Sequence, residues 1–290
     1  MKWRRESRRR ISTTAKFIIL AAVVLPILPD RAIDPLQVLN PYHIGLMIVI
    51  ISGMTFLAYV ATRGFGGRKS LVLIGILGGL ISSTAVTISL SRRVRESAET
   101  LTLGAVAILA ASSTMFVRIL MVVAIVDTQL VPVLLWPLSA MTAVAYGWTL
   151  HLYFRARREG LHEAQPVLHR NPFELRFALK FGLLYAALIL LTQMAERFLG
   201  APGLYLSSIL AGTTDVDAIT LSMLKFHLEG LAASTAAIAI ILAAATNTLV
   251  KACLAAWEGG WQLGRLVSLG LISALAIGGL VTIIEFTFSR

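Results

Sequence analysis

The sequence predicts an all-α, polytopic integral membrane helical bundle of about nine hydrophobic segments, set out as two tandem four-segment repeats with glycine-broken or re-entrant helices. Three observations predict it. Of the 290 residues, 57% are hydrophobic and 14% charged, where a soluble domain carries about 25% charged residues. The apolar stretches are each long enough for a helix of about 20 residues and lack the short alternating segments of a barrel. Finally, residues 79–89 align with residues 212–222 without a gap, matching Gly, Ala, Thr and Ser. Ser82 and Thr84 in the first copy stand where Asp215 and Asp217 stand in the second.

The elements follow in order. Residues 1–12 hold Lys2, Arg4, Arg5, Arg8, Arg9 and Arg10 and read as a basic cytoplasmic N-terminus. Residues 13–30 read as an uncleaved first transmembrane helix, because no Ala-x-Ala-like site follows and Pro26 and Pro29 give way to Asp30 and Arg31. Repeat 1 occupies 40–153, with segments at 42–62, 71–91, 101–126 and 130–153. A polar connecting loop, 154–170, separates it from repeat 2 at 171–290, with segments at 174–195, 203–224, 231–256 and 266–288. Asn40-Pro41 recurs as Asn171-Pro172, and residues 108–114 recur at 241–247, the same offset of 133 residues as the first pair of segments. That offset maps Arg118 onto Lys251. If all nine segments span, the loop of Arg92, Arg93 and Arg95 falls outside, against the positive-inside rule. If the segment of Gly78 and Gly79 re-enters, that loop returns to the cytoplasm. Both arrangements stay open at this level.

The formal net charge of +11 comes from basic residues in loops and at the N-terminus. Such placement meets anionic lipid and fixes orientation, and it argues against a nucleic-acid partner. One cysteine, Cys253, excludes an internal disulfide framework and a multi-cysteine metal site, and no cofactor is expected. His43, His151, His162, His169 and His227 show no metal spacing and read as interface or loop residues. Trp136, Trp148, Trp257 and Trp261 read as interfacial anchors.

The candidate site lies in the second copy of the repeated stretch. Two carboxylates within an apolar segment cost about 2.5–3.5 kcal/mol each on insertion, so Asp215 and Asp217 are expected to line a cavity, pair, or bind an ion. They are the candidates for any metal. Gly79 and Gly212 supply the backbone break that frees amides and carbonyls to face a cavity. Thr214 and Asp217 fit a capping box, with Thr214 as N-cap. Asn247 and Lys251, four apart, share a helix face, as do Thr114 and Arg118. Lys251 beside an aspartate would hold that carboxylate charged. Thr213, Ser82, Ser83 and Thr84 add hydroxyls that line the site or let helices pack closely.

The stretches Leu28-Pro29-Asp30, Asn40-Pro41, residues 78–87, residues 212–218 and residues 247–251 resemble the MgtC/SapB family of bacterial membrane proteins. More narrowly, they resemble the C-terminal domain of unknown function of its longer members. That resemblance implies the bacterial cytoplasmic membrane and an MgtC-like helical module ahead of this region in longer relatives. This chain begins with Met1 and a basic run, so the module is expected to be missing, separately encoded or lost by truncation. Its link to magnesium stays with the module and is not carried over.

The sequence therefore points first to a secondary transporter or permease for an ion or small solute, proton- or cation-coupled, with its site between the repeats. The alternative is a non-transporting scaffold or regulator partnering an MgtC-like subunit; a homo-oligomer fits either. An enzyme is not expected, since no Gly-x-Gly-Asp, His-Glu-x-x-His or serine–base pairing is present.

Overall fold

The computed structural model describes residues 18–34, 39–64, 71–97, 100–159 and 175–288. The basic run at 1–12, the start of the first hydrophobic segment, most of the polar loop and Asn171-Pro172 lie outside them. The described part of the first segment is a π-helical stretch, Ile19–Val24, running into the single α-turn Leu25–Ile27, where Leu28 turns extended. Nine longer helices follow among the described residues: α1 (Pro41–Gly64), α2 (Leu71–Glu96), α3 (Leu101–Val126), α4 (Val131–Arg158), α5 (Leu175–Leu199), α6 (Ala201–Gly212), α7 (Val216–Leu228), α8 (Ala233–Gly259) and α9 (Trp261–Phe288). A 3-10 turn, Thr128–Leu130, joins α3 to α4.

The protein is an all-α, polytopic membrane bundle. Six described helical stretches are long and apolar enough to cross a membrane: Val72–Glu96, Leu101–Val126, Thr128–Arg158, Lys180–Leu199, Ala233–Gly259 and Trp261–Phe288. The local starts follow the sequence. Asn40 caps α1, its Oδ1 accepting from Tyr42 N at 2.9 Å, and Pro41 occupies the first helical position, where its missing N–H costs nothing. Between Leu199 and Ala201 the chain reverses at Gly200, whose φ of +64° suits glycine.

The hydrophobic segment expected at 203–224 is two helices, α6 and α7, separated at residues 213–215. The segment at 71–91 is one helix by its hydrogen bonds, but Ser82 interrupts it with φ −167° and ψ 101°. The packing on α3 shows what that interruption does. A Cβ on Gly75 would sit 2.5 Å from the Ala107 carbonyl oxygen, and one on Gly79 the same distance from that of Ala111, so α2 first runs parallel to α3. After Ser82 the direction reverses, and Val94 packs onto Gly104 near the start of α3. Val72 and Val94, from opposite ends of α2, accordingly share one apolar cluster with Leu101 and Leu103.

That cluster marks one end of the bundle. Leu152 and Ala156 of α4, Ala252 and Ala255 of α8, and Leu263 of α9 complete it. Arg92 pairs with Glu258 across it at 3.0 Å. Arg93 and Arg95 of α2, Arg155, Arg157 and Arg158 of α4, and Arg265 of α9 surround it, with Trp257 and Trp261 about four-fifths exposed. We refer to it as the basic end. The far end is closed by a larger cluster in which Val122, Val123 and Leu130 meet Leu224, Phe226, Ala236 and Ala237, where α7 turns into α8.

Candidate functional site

The site is built at the two interruptions. At the second, Asp215 adopts φ −152° and ψ 122°, and its Oδ1 accepts from Asp217 N at 2.7 Å and Ala218 N at 3.3 Å. Asp215 is thus the N-cap of α7. This corrects the expectation that Thr214 caps and Asp217 stands third. Thr213 and Thr214 complete the last turn of α6, with Thr214 N bonded to Ala211 O at 2.9 Å, and both residues are exposed. A carboxylate at the cap also meets the positive end of the helix dipole. The first interruption repeats the device with a neutral group, since Ser82 Oγ accepts from Ala85 N at 3.3 Å. Ser82 and Asp215 are the two positions that the sequence alignment superposes.

Each glycine ahead of an interruption lies flat on a helix backbone. A Cβ on Gly212 would sit 2.5 Å from Ala243 O of α8, as one on Gly79 would from Ala111 O of α3. The carbonyls released by the interruptions are then claimed by side chains from those same two helices. Asn247 Nδ2 donates to Gly212 O at 2.9 Å, and Arg118 Nη1 to Leu80 O at 3.3 Å. In a membrane interior such carbonyls have no water to turn to, so each donor offsets a cost of several kcal/mol.

Arg118 does more. Its Nη2 lies 2.6 Å from Asp217 Oδ2, with the two side chains 9% and 6% exposed. One guanidinium thereby holds the carbonyl before the first interruption and the carboxylate after the second. Lys251 lies within electrostatic reach of both aspartates, as the sequence suggests, but the direct contact to Asp217 is made by Arg118, which reaches across from α3. Lys251 is fully buried, and its Nζ lies 2.7 Å from Met115 Sδ on α3. Arg118 Nε and Asp217 Oδ1 are buried with no hydrogen-bond partner. The site holds an arginine, a lysine, two carboxylates and two unsatisfied polar atoms, in a place where such atoms call for a ligand, a proton or water.

The remaining candidates divide. Ser83 is buried, and Thr84 is half-buried beside the first interruption. Thr114 donates to Ala110 O at 2.8 Å and bonds Tyr146 Oη at 2.7 Å, a partner that the sequence did not suggest. Asp215 and Asp217, the metal candidates, are engaged with separate partners. Among the described residues no three of His, Cys, Asp or Glu gather. Sequence reasoning also missed Met115, which sits one residue after Thr114, and the Asp127–His227 contact between segments 100 residues apart, which carries no motif.

Comparison with known proteins adds the family. Residues 49–259 match the family described as a domain of unknown function, DUF4010. A bacterial relative, an uncharacterized protein of Aquifex aeolicus (strain VF5), is 30% identical over 188 residues, covering 64% of this chain and 81% of its own length. No solved structure matches. The chain belongs to the DUF4010 family, which is associated with the C-terminal domains of MgtC/SapB proteins, in agreement with the resemblance read from its sequence.

Proposed function

We propose that this DUF4010 protein is a secondary transporter or permease for an ion or small solute, coupled to protons or cations, in the bacterial cytoplasmic membrane. Its two halves are read as repeats of opposite orientation, α1–α4 and α5–α9. In each, an interrupted segment enters the membrane and returns to the face it came from: α2 from the basic end, α6–α7 from the far end. The basic end faces the cytoplasm, since arginines concentrate there, and it meets anionic lipid through them.

The observation that carries the reading is Arg118 bound to both interruptions at once, to Leu80 O and to Asp217. Discontinuous helices meeting at charged side chains inside a bundle are how transporters place a substrate between repeats. Buried ionisable residues of this kind mark ion and proton routes. A proton or cation arriving at Asp217 competes with Arg118, and losing that bond frees the two interrupted segments from each other. Lys251, fully buried nearby, offers Asp217 a second partner once that proton or cation has left it. Occupancy of the carboxylate then decides which arrangement is favoured.

The test is charge movement on a solid-supported membrane, with purified protein in liposomes exposed to pH steps and then to sodium, potassium, magnesium and small organic ions. The expected result is a current with at least one of these, lost in Asp217→Asn and in Asp215→Asn. Unchanged currents in both variants would overturn the site. Silence across the whole panel from well-folded protein would turn the reading to a non-transporting scaffold that works with an MgtC-like subunit.

A further inference from the structure

The far end holds a polar pair that the central site does not use. Asp127 closes α3, and its Oδ1 accepts from Gln129 N at 3.0 Å, which caps the 3-10 turn. Its Oδ2 is buried and has no hydrogen-bond partner. His227 Nε2, from the last turn of α7, stands 3.6 Å from that oxygen, with the side chains 14% and 2% exposed for His227 and Asp127. The other ring nitrogen, Nδ1, lies 2.6 Å from Leu231 O. A carbonyl only accepts, so Nδ1 carries a hydrogen, and in a neutral ring Nε2 is then a bare lone pair. Two acceptors face each other across 3.6 Å, and one proton between them would turn repulsion into a charge-assisted bond.

We propose that Asp127 and His227 form a proton-binding site which, when filled, clamps α7 against α3 at the far end. The proton goes to Nε2, and the imidazolium then donates to Asp127 Oδ2. Other charged and titratable groups stand on the surrounding elements. On α7 Lys225 lies 3.3 Å from Glu229 of the following turn, and Arg118 and Asp217 are engaged deeper along α3 and α7. The described part of α5 brings Lys180, Tyr185, Glu196 and Arg197, α6 brings Tyr205, and α8 brings no ionisable side chain before Lys251. The clamp matters because, among the described residues, α7 meets α3 through two contacts between ionisable side chains, Asp217 with Arg118 and His227 with Asp127. With both made, α7 is tied to α3 near each of its ends; with the outer one open, the tie at Arg118 and the apolar packing of Leu224 and Phe226 against Val122 and Val123 remain. The clamp works whether or not the central site carries a solute.

Hydrogen exchange of the full-length protein in lipid nanodiscs tests it. Amides of residues 222–231 are followed from about pH 8 to about pH 5 and corrected for the chemical exchange rate. The expected result is a slowing of at least about fivefold at the lower pH in the unaltered protein. In Asp127→Asn the amide keeps the Gln129 cap and donates to the neutral Nε2, so a proton no longer tightens the contact and exchange does not slow at the lower pH. In His227→Gln it does not slow either, and this variant decides if Asp127→Asn does not fold. Flat exchange in the unaltered protein, or an undiminished pH response in the variants that fold, would overturn the clamp.

Discussion

At the scale of single residues, the chemistry concentrates in a few side chains that each answer for a broken backbone. Asp215 and Ser82 cap new helices, Asn247 and Arg118 take up released carbonyls, and Asp217 neutralises Arg118. A buried pair of this kind is costly to halve, because the surviving charge is left without a partner. Arg118→Gln and Asp217→Asn should each destabilise by about 3–5 kcal/mol. The double variant should cost clearly less than the sum. Thermal unfolding of all four proteins in one detergent measures the coupling, and strict additivity would show that the two side chains do not act as a pair. Much of this site was legible in the sequence, since carboxylates in an apolar segment and a shared offset pointed to Asp215, Asp217, Asn247 and Arg118. The partner of each was not. A carboxylate in the sequence looks alike whether it caps a helix or meets an arginine, and only the path of the backbone at residues 213–215 decides.

At the scale of elements, small residues fix how close helices come. Gly79 and Gly212 each rest on a helix backbone, where an added methyl would come too close to a carbonyl, whereas a Cβ on Gly147 in α4 would meet nothing within 4 Å. Gly79→Ala and Gly212→Ala should therefore cost about 1–3 kcal/mol through overpacking. Gly147→Ala should be neutral or stabilise by about 0.5–1 kcal/mol, as expected at an unobstructed helix interior. Unfolding midpoints in the same detergent compare the three, and a tolerated alanine at both close sites would contradict the packing. Glycines in matching apolar segments did signal these approaches in the sequence. The starts of α1 to α5 were equally legible, because apolar runs and their punctuation set them, whereas α2 and α4 run on to Glu96 and Arg158, past 91 and 153, and α9 begins at Trp261, ahead of 266. The division of 203–224 into α6 and α7 was legible as a break near Gly212, while the reversal of α2 on α3 needed the contacts of Gly75, Gly79 and Val94.

At the scale of the whole molecule, the proposed re-entry makes a claim about sidedness. In a Cys253→Ser background, cysteines placed at Ser97 and Glu159 should react with an impermeant maleimide from one face. Cysteines at Ala201 and Ala232 should both react from the other. Opposite labelling at Ala201 and Ala232 would mean that α6 and α7 cross instead of returning. Sequence alone left that parity open, because arginine counts in loops constrain sides and not the number of crossings. The 133-residue offset also pairs Arg118 with Lys251 and Asp217 with Thr84. Were the two halves to exchange roles, the bond between Arg118 and Asp217 would be replaced by a lysine facing a hydroxyl. A device with identical halves would rest equally in either posture, like a balanced seesaw. In the transporter proposed above, one pan would carry a charge pair and the other would not, so the empty protein would have a preferred posture, and an arriving ligand would have to supply the weight that tips it.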